Sequence, residues 1–217
     1  MPTNTAKRPV GRPPAPAGDA ANARAAIVEA AGRHFAEHGT KATTNAMIAQ
    51  DAGVTPAMVH YYFKRRELLY RAILEDLLTP LLDSLPGITT LDAWVATFHD
   101  FLAAHPWAPK LLVREVFMHN GLLRPLFLQH YAPAIFGQVR HLLEQELASA
   151  GRPELNVEIH FLLLQSMLVY PFLSLEVSEK VTGRKFDAAM LAALRDDALA
   201  LFRNGIHGRT PRRSKRT

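Results

Sequence analysis

The chain has 217 residues, a formal net charge of +5 and no cysteine. The lack of cysteine excludes disulfide bonds, thiolate metal sites and a cysteine nucleophile. The longest apolar run, residues 161–173, is interrupted by Gln165 and Ser166 and falls short of the roughly 20 residues that a membrane-spanning helix needs. The first residues contain no apolar signal segment. We therefore expect a soluble, cytoplasmic protein that does not enter a membrane.

The positive charge is concentrated at the two ends of the chain. Residues 1–20 and 208–217 together hold eight Lys and Arg residues and one acidic residue, whereas the rest holds 17 basic and 19 acidic residues. The proline-rich residues 1–18 have little to bury and are expected to be disordered. Basic ends on a near-neutral body indicate either contact with a polyanion or solvated tails, and charge alone leaves both open.

Helical periodicity predicts four helices in the N-terminal part of the chain, at about residues 21–38, 44–51, 56–62 and 66–84. Asp19 or Asn22 can cap the first helix, and Gly39 can end it in a left-handed turn. Thr43 or Thr44 can cap the second helix. The spacing leaves the first three helices close together in sequence.

The turn between the second and third helices has residue types with defined mechanical roles. The small Ala49 lets the two helices cross closely, Gly53 tolerates a positive φ, and Val59 fills the space beneath. Thr55 offers a cap oxygen, and Pro56 occupies the first helical position, where its missing N–H is harmless. Two short helices joined in this way and braced by another form a helix-turn-helix, which places a recognition helix in the major groove of DNA.

The remaining chain predicts further helices at about residues 89–104, 107–119, 122–149, 154–179 and 187–205, with no sustained period-two alternation. An all-α fold follows, with a three-helix DNA-binding domain and a larger helical domain. The predicted units are a basic arm at 1–18, a helix-turn-helix domain at 19–66, an effector-binding and dimerisation domain at 67–206, and a basic tail at 207–217.

The exposed side of the third helix is expected to offer hydroxyl, methyl and cationic groups to bases and phosphates from Thr55, Ala57, Met58, His60, Tyr61 and Lys64. Tyr62 and Phe63 are expected to pack between the third and fourth helices instead. Lys64 is expected to contact phosphate. For Arg66 a phosphate contact and a solvated charge are equally open.

Several short runs resemble the signature of the tetracycline-repressor (TetR) family: residues 27–31, 35–39, 42–44, 48–49, 52–56 and 61–64. The resemblance covers about 50 residues. It implies a homodimeric regulator, usually a repressor, that binds a palindromic operator. It also implies that a small molecule entering the C-terminal domain releases the operator.

By this resemblance, the DNA-contact positions are Thr44, Thr55, Pro56, Ala57, His60, Tyr61 and Lys64. Thr44, Tyr61 and Lys64 are the expected phosphate contacts. The sequence departs from residue types common in the family at Ala46, Pro56, Ala57 and His60, and these departures affect the base-reading positions most.

The N-terminal residues 7–14 resemble an AT-hook arm, in which Arg and Pro place an extended backbone in a narrow minor groove. Arg8 and Arg12 are the candidate minor-groove contacts, and a disordered leader is the alternative. The basic residues 209–216 are more ambiguous, because they can lie far from DNA.

The predicted C-terminal domain carries more large apolar side chains than one helix layer can hide, so some must face a pocket or a partner subunit. The family implies that the two long helices at 154–179 and 187–205 pair with their copies in a homodimer. A pocket for a small, largely apolar effector is predicted from Trp94, Phe98, Phe117, Phe127, Tyr131, Gln165 and Met167. Plain core packing is the alternative for each of them.

The ten histidines do not form a known catalytic or metal motif. Glu115 and His119 share a predicted helix face, and His99 and His105 flank a helix end, but we expect no metal, no cofactor and no catalytic residues. A protein-binding helical adaptor is the alternative function. Salt-sensitive, saturable DNA binding separates the regulator from the adaptor and from an enzyme.

Overall fold

The computed structural model describes residues 17–118 and 121–208, and these residues form helices with no strand among them. The helices are α1 Ala17–His38, α2 Asn45–Asp51, α3 Pro56–Tyr62, α4 Arg66–Ser84, α5 Leu91–Ala104, α6 Ala108–Leu112, α7 Arg124–Leu126, α8 Ala132–Ser149, α9 Val157–Thr182 and α10 Ala188–His207. A 3₁₀ turn, Leu85–Gly87, follows α4. The all-α prediction is confirmed.

Three predicted helix features differ from the structure. The single helix predicted at 122–149 is divided into α7, a π-helical turn at Phe127–Tyr131, and α8. Helix α1 begins at Ala17, so the positions of Asp19 and Asn22 lie within the helix and not before its first residue. The single helix predicted at 107–119 is wrong: α6 ends at Leu112 and continues as a π-helical turn, Val113–Phe117. The chain then folds back, because the amide of Leu123 donates to the carbonyl oxygen of Glu115 at 3.2 Å. Sequence periodicity does not distinguish this wider turn from an α-helix.

The buried side chains form two clusters. The first core joins α1, α2 and α3 to α4, α6 and the segment after it, and it includes Phe35, Ile48, Ile73 and Leu111. The second core joins α5 to α8, α9 and α10 around Trp94. The first core therefore extends well beyond residue 66, where the sequence places the end of the DNA-binding domain.

Helix α1 packs closely against Trp107, the residue that precedes α6. Gly32 lies against the indole of Trp107, so closely that an added Cβ would be 2.5 Å from Trp107 Cη2. Trp107 Nε1 donates to Glu29 Oε1 at 3.0 Å. Arg114 donates to the backbone carbonyl oxygens of residues 36–37 at 3.3 Å. These contacts couple α1 to the segment after α5.

Arg203 of α10 forms ion pairs that connect helices of the second core. Its guanidinium forms ion pairs with Asp92 of α5 at 2.6 Å and with Glu146 of α8 at 2.7 Å. The hydrogen bond from Arg203 lowers the pKa of Asp92. One arginine thus connects three helices.

The sequence analysis considered only the apolar run 161–173, which is too short to cross a membrane, but the helix that contains this run, α9, is longer. It has 26 residues and is long and apolar enough to cross a membrane by length and composition alone, a criterion that core helices of soluble proteins also meet. The helix extends beyond the apolar run 161–173 at both ends. Only 17% of its most apolar stretch is buried within the chain. The exposed apolar side chains of α9 form one stripe: Ile159, Leu162, Leu163, Tyr170, Val177 and Val181.

Candidate nucleic-acid interface

Thr44 is the N-cap of helix α2, which resolves the choice between two threonines. Thr44 Oγ1 accepts the amide of Met47 at 3.2 Å, as an N-cap does. Thr43 is instead buried, and its hydroxyl donates to the carbonyl oxygen of Gly39 at 2.8 Å. Gly39 has a φ of 80°, the left-handed conformation expected at the end of α1.

Helix α3 has the capping that its sequence predicts. Thr55 Oγ1 accepts the amide of Met58 at 3.4 Å, and Pro56 occupies the first turn. In the preceding turn, Gly53 has a φ of 66°. Val59 is buried beneath α3 with Ile48. The short helix α3 is therefore held in place by a cap, a turn and a buried face.

All seven residues predicted to contact DNA are exposed: Thr44, Thr55, Pro56, Ala57, His60, Tyr61 and Lys64. Tyr61 is the most prominent, with 75% of its surface exposed. Met58, which the sequence also assigned to the exposed side, is half-buried. The exposed set presents hydroxyl, imidazole and ammonium groups, which can donate hydrogen bonds to DNA phosphates and base edges.

Tyr62 and Phe63 lie on the packed side, as their predicted role requires. Phe63 is 8% exposed, and the Arg24 guanidinium lies 5.6 Å from its ring centroid. Tyr62 is half-buried and packs against the first core. Arg24 also pairs with Asp76 of α4 at 3.0 Å, so α1, α4 and the end of α3 are joined.

Arg66 has a structural role that its position in a basic run concealed. Its guanidinium donates to the carbonyl oxygens of Thr40 and Thr43 and to the hydroxyl of Tyr70. It also lies 5.2 Å from the centroid of the Phe35 ring. Arg66 therefore holds the loop before α2. These bonds favour a positioning role over the phosphate contact that the sequence left open.

Removing the N-cap of α2 is expected to destabilise the helices α2 and α3. Thr44→Ala leaves the Met47 amide without its acceptor and should lower the free energy of unfolding by about 1 kcal/mol. Thr44→Ser keeps an oxygen at this position and should retain most of the stability. Urea unfolding followed by circular dichroism measures both variants. Equal stability of the alanine variant and the native protein would contradict the capping role.

The seven residues predicted for an effector pocket are divided between the two cores. Trp94 and Phe98 stack in the second core with 5.2 Å between ring centroids, and Met167 packs against the same core. Tyr131 is buried in the first core. Phe117 is 60% exposed. The set therefore does not line one continuous surface.

The other two predicted pocket residues have different surroundings. Phe127 is partly buried against the first core. The carboxamide oxygen of Gln165 is buried and has no hydrogen-bond partner among the described protein atoms, and the same holds for Trp94 Nε1 and His99 Nε2. Polar atoms of this kind suit a polar ligand contact in the second core. The pocket stays a prediction.

Several other predicted features fall outside the described residues. They include Arg8 and Arg12 of the basic arm, the cluster at 209–216, and His119 of the Glu115–His119 pair. Within residues 17–118 and 121–208, no group of three or more His, Asp and Glu side chains could hold a metal ion.

Comparison with known proteins matches residues 27–73 to the family described as bacterial regulatory proteins, tetR family. The chain is 45% identical over 60 residues to the HTH-type transcriptional regulator BetI of Rhizobium meliloti, covering 28% of this chain and 30% of that protein. It is 30% identical over 93 residues to the HTH-type transcriptional repressor SCO4008 of Streptomyces coelicolor, covering 42% of this chain and 48% of the relative. The chain thus matches less than half the length of either relative.

Solved structures share the fold over most of the chain. A putative tetR family regulator from Shewanella sp. PV-4 aligns with a TM-score of 0.55 and 18% identity, over 84% of this chain and 97% of that one. The fatty acid degradation regulator FadR from Bacillus halodurans aligns with a TM-score of 0.54 and 19% identity, over 82% and 93% of the two chains. The matched residues 27–73 contain α2, the Gly53 turn and α3. Residues 27–73 are therefore similar to the N-terminal part of tetR family regulatory proteins, and the chain shares its fold with these solved structures.

Proposed function

We propose that this protein is a transcriptional regulator, a repressor, that binds a palindromic operator as a homodimer and releases it when a small effector binds. The observation that carries the proposal is the exposed face of α3, where Tyr61 lies on a helix whose opposite face is buried through Val59, and the exposed Lys64 follows just after the end of that helix. A rigid, exposed helix with polar and cationic groups is the unit that reads a major groove.

The charges around α3 support DNA as the partner. Lys64 and Arg65 are exposed, and neither takes part in an ion pair between described residues within 4.0 Å. The nearby acid at the end of α2, Asp51, is paired with Arg33 at 3.0 Å. Two cations beside the recognition helix are therefore available to bind phosphates. Such phosphate contacts make DNA binding depend on salt concentration.

The exposed stripe of α9 supports a homodimer. Large apolar side chains recur along one side of a helix of 26 residues, a length of about 39 Å. A second copy of the chain would cover this stripe through a two-fold axis, with α10 completing a four-helix interface. Leu201 of α10 is also 64% exposed. A two-fold dimer would place two α3 helices about 34 to 36 Å apart on a palindromic site.

Effector release would work as a population shift. A small, largely apolar molecule bound in the C-terminal helices would favour a state in which the two α3 helices no longer match successive grooves. The contact between Gly32 and Trp107 gives such a shift a physical route to α1. The protein would act in the cytoplasm, where its DNA lies.

The test is binding to DNA from upstream of the protein's own gene, titrated across salt concentrations. The double variant Tyr61→Ala, Lys64→Ala should weaken operator binding by about 100-fold and reduce the salt slope by about 1. Lys185→Ala, which removes an exposed lysine far along the chain, is the matched control and should bind as the native protein does.

The same experiment addresses the alternative function. A protein-binding adaptor would bind the upstream fragment no more tightly than random DNA, and the α3 variant would change nothing. Footprinting of a palindromic site by the native protein, lost in the double variant, would support the regulator. Operator binding that the double variant retains would contradict the assignment of α3 as the recognition helix.

A further inference from the structure

A solvent-open cavity of about 760 Å³ lies where the DNA-binding helices meet the π-helical turn after α6. Its walls come from the end of α1 and the loop after it, from α4, from the π-helical turn, and from Met118, Gly121 and Leu122. The side chains that decide its chemistry are Lys41, Arg66, Tyr70, Arg114, Met118 and Leu122. None of them belongs to the pocket predicted from the aromatic residues of the C-terminal helices, so this is a separate cavity.

Positive charge dominates the cavity wall. Arg66 and Arg114 donate to backbone carbonyl oxygens, which do not neutralise their charge. Neither they nor Lys41 takes part in an ion pair within 4.0 Å between described residues. Glu115 is the acid in the wall. It is 5% exposed, and its Oε2 accepts the amide of Leu122 at 3.4 Å.

The lining charges therefore leave an excess of cationic side chains. His38, also in the wall, has its Nε2 atom 3.7 Å from the carboxylate of Glu37. An anion entering the cavity would gain charge-assisted hydrogen bonds from guanidinium groups that now donate to neutral acceptors.

Apolar surface lies beside these cations. Met118 is 60% exposed and Leu122 is 59% exposed, while the ring of Tyr70 forms part of the wall. Exposed apolar side chains next to arginines fit a ligand that is charged at one end and apolar at the other. We propose that this cavity binds a small anionic amphiphile, a carboxylate with an apolar chain, through Arg114 and Arg66.

Binding at this place would act on DNA recognition, a consequence that rests on the proposed function. Arg66 holds the carbonyl oxygens of Thr40 and Thr43, and Arg114 holds those of residues 36–37. A carboxylate would compete for the same donors. The loop that these donors fix leads directly to Thr44, the cap of α2, so the ligand would reposition α2 and α3 relative to α4.

The test compares octanoate with 1-octanol, which has the same chain length without the charge. Isothermal titration with the full-length protein, in the absence of DNA, should show octanoate binding at least tenfold more tightly than 1-octanol. Arg114→Gln should remove this preference, Arg114→Lys should keep most of it, and Arg184→Gln, an exposed arginine outside the cavity, should leave it unchanged. Circular dichroism checks the fold of each variant.

Lys41→Gln is the second variant, because Lys41 is exposed and its loss should not disturb folding. It should weaken octanoate binding severalfold. The proposal is overturned if 1-octanol binds as tightly as octanoate, if octanoate does not bind at millimolar concentration, or if folded Arg114→Gln and Lys41→Gln bind as the native protein does.

Operator binding is measured separately with and without octanoate. The native protein should change its operator affinity at least fivefold when octanoate is added, and Arg114→Gln should not. If the protein binds the operator but octanoate does not change its operator affinity, the proposed effect of the cavity on DNA recognition is overturned and the proposed function stands. Octanoate binding at Arg114 without any operator binding overturns the proposed function and leaves the cavity assignment standing.

Discussion

Replacing Tyr170 by Asp is expected to separate the protein into monomers and to abolish operator binding. Tyr170 lies in the middle of the exposed stripe of α9 with 66% of its surface exposed. In the proposed dimer, the substitution would bury a carboxylate without a partner, at a cost of several kcal/mol. Sedimentation velocity at micromolar concentration measures the mass, and operator titration measures the loss, which should exceed about 1,000-fold if both recognition helices are needed.

Leu128→Asp is the matched control for this experiment. Leu128 is 50% exposed and lies in the π-helical turn Phe127–Tyr131, away from α9 and α10. It should leave both the dimer and operator binding unchanged. A Tyr170→Asp protein that sediments as a dimer would show that the apolar stripe of α9 is not the subunit interface.

Gly32→Ala is expected to destabilise the protein by about 2 kcal/mol, although alanine is the better helix former. The new Cβ would meet the six-membered ring of Trp107 at 2.5 to 3.0 Å, so the indole must move. That movement breaks the hydrogen bond from Trp107 Nε1 to Glu29 and separates α1 from α6. Thermal and urea unfolding measure the loss.

The control is the same substitution at Gly137 of α8, where an added Cβ meets nothing within 4 Å. There the helix propensity of alanine should raise stability by up to about 1 kcal/mol. Gly32→Ala combined with Trp107→Leu should recover part of the loss, because the smaller side chain makes room. Equal gains at both glycines would contradict the close contact between α1 and α6.

Local signals in the sequence were sufficient to predict the recognition unit. The capping and turn roles of Thr55, Pro56 and Gly53 involve only residues a few positions away, so these roles depend little on the rest of the chain. The bounds of α3 and α4 agree with the predicted 56–62 and 66–84 for this reason. Thr44 was predicted as one of two candidate caps and is the one used.

Long-range contacts could not be predicted in the same way. Arg66 follows two other basic residues, and nothing adjacent to it in sequence indicates that its partners are Thr40 and Thr43, more than 20 residues earlier. The close contact of Gly32 with Trp107 joins residues that are 75 positions apart in the sequence. Pairings of this kind depend on how helices cross, which periodicity does not encode.

The effector region shows the same limit. Aromatic composition indicated a pocket, but it did not distinguish residues of the first core from those of the second. Tyr131 and Trp94 are both aromatic and buried, yet they belong to different clusters. The π-helical turn after α6, which forms one wall of the cationic cavity, carries no sequence pattern of its own.

The extent of the first core determines where this chain could be joined to another protein. A chimaera that joins its first 66 residues to a foreign sensor would lose Ile73, Leu111 and Tyr131, and Phe35 would face side chains that were never selected to fit it. The segment that keeps every buried residue of the first core together runs from α1 to Tyr131, and it includes α5. Designed biosensors built from this chain should therefore exchange the helices after that tyrosine rather than those after α3.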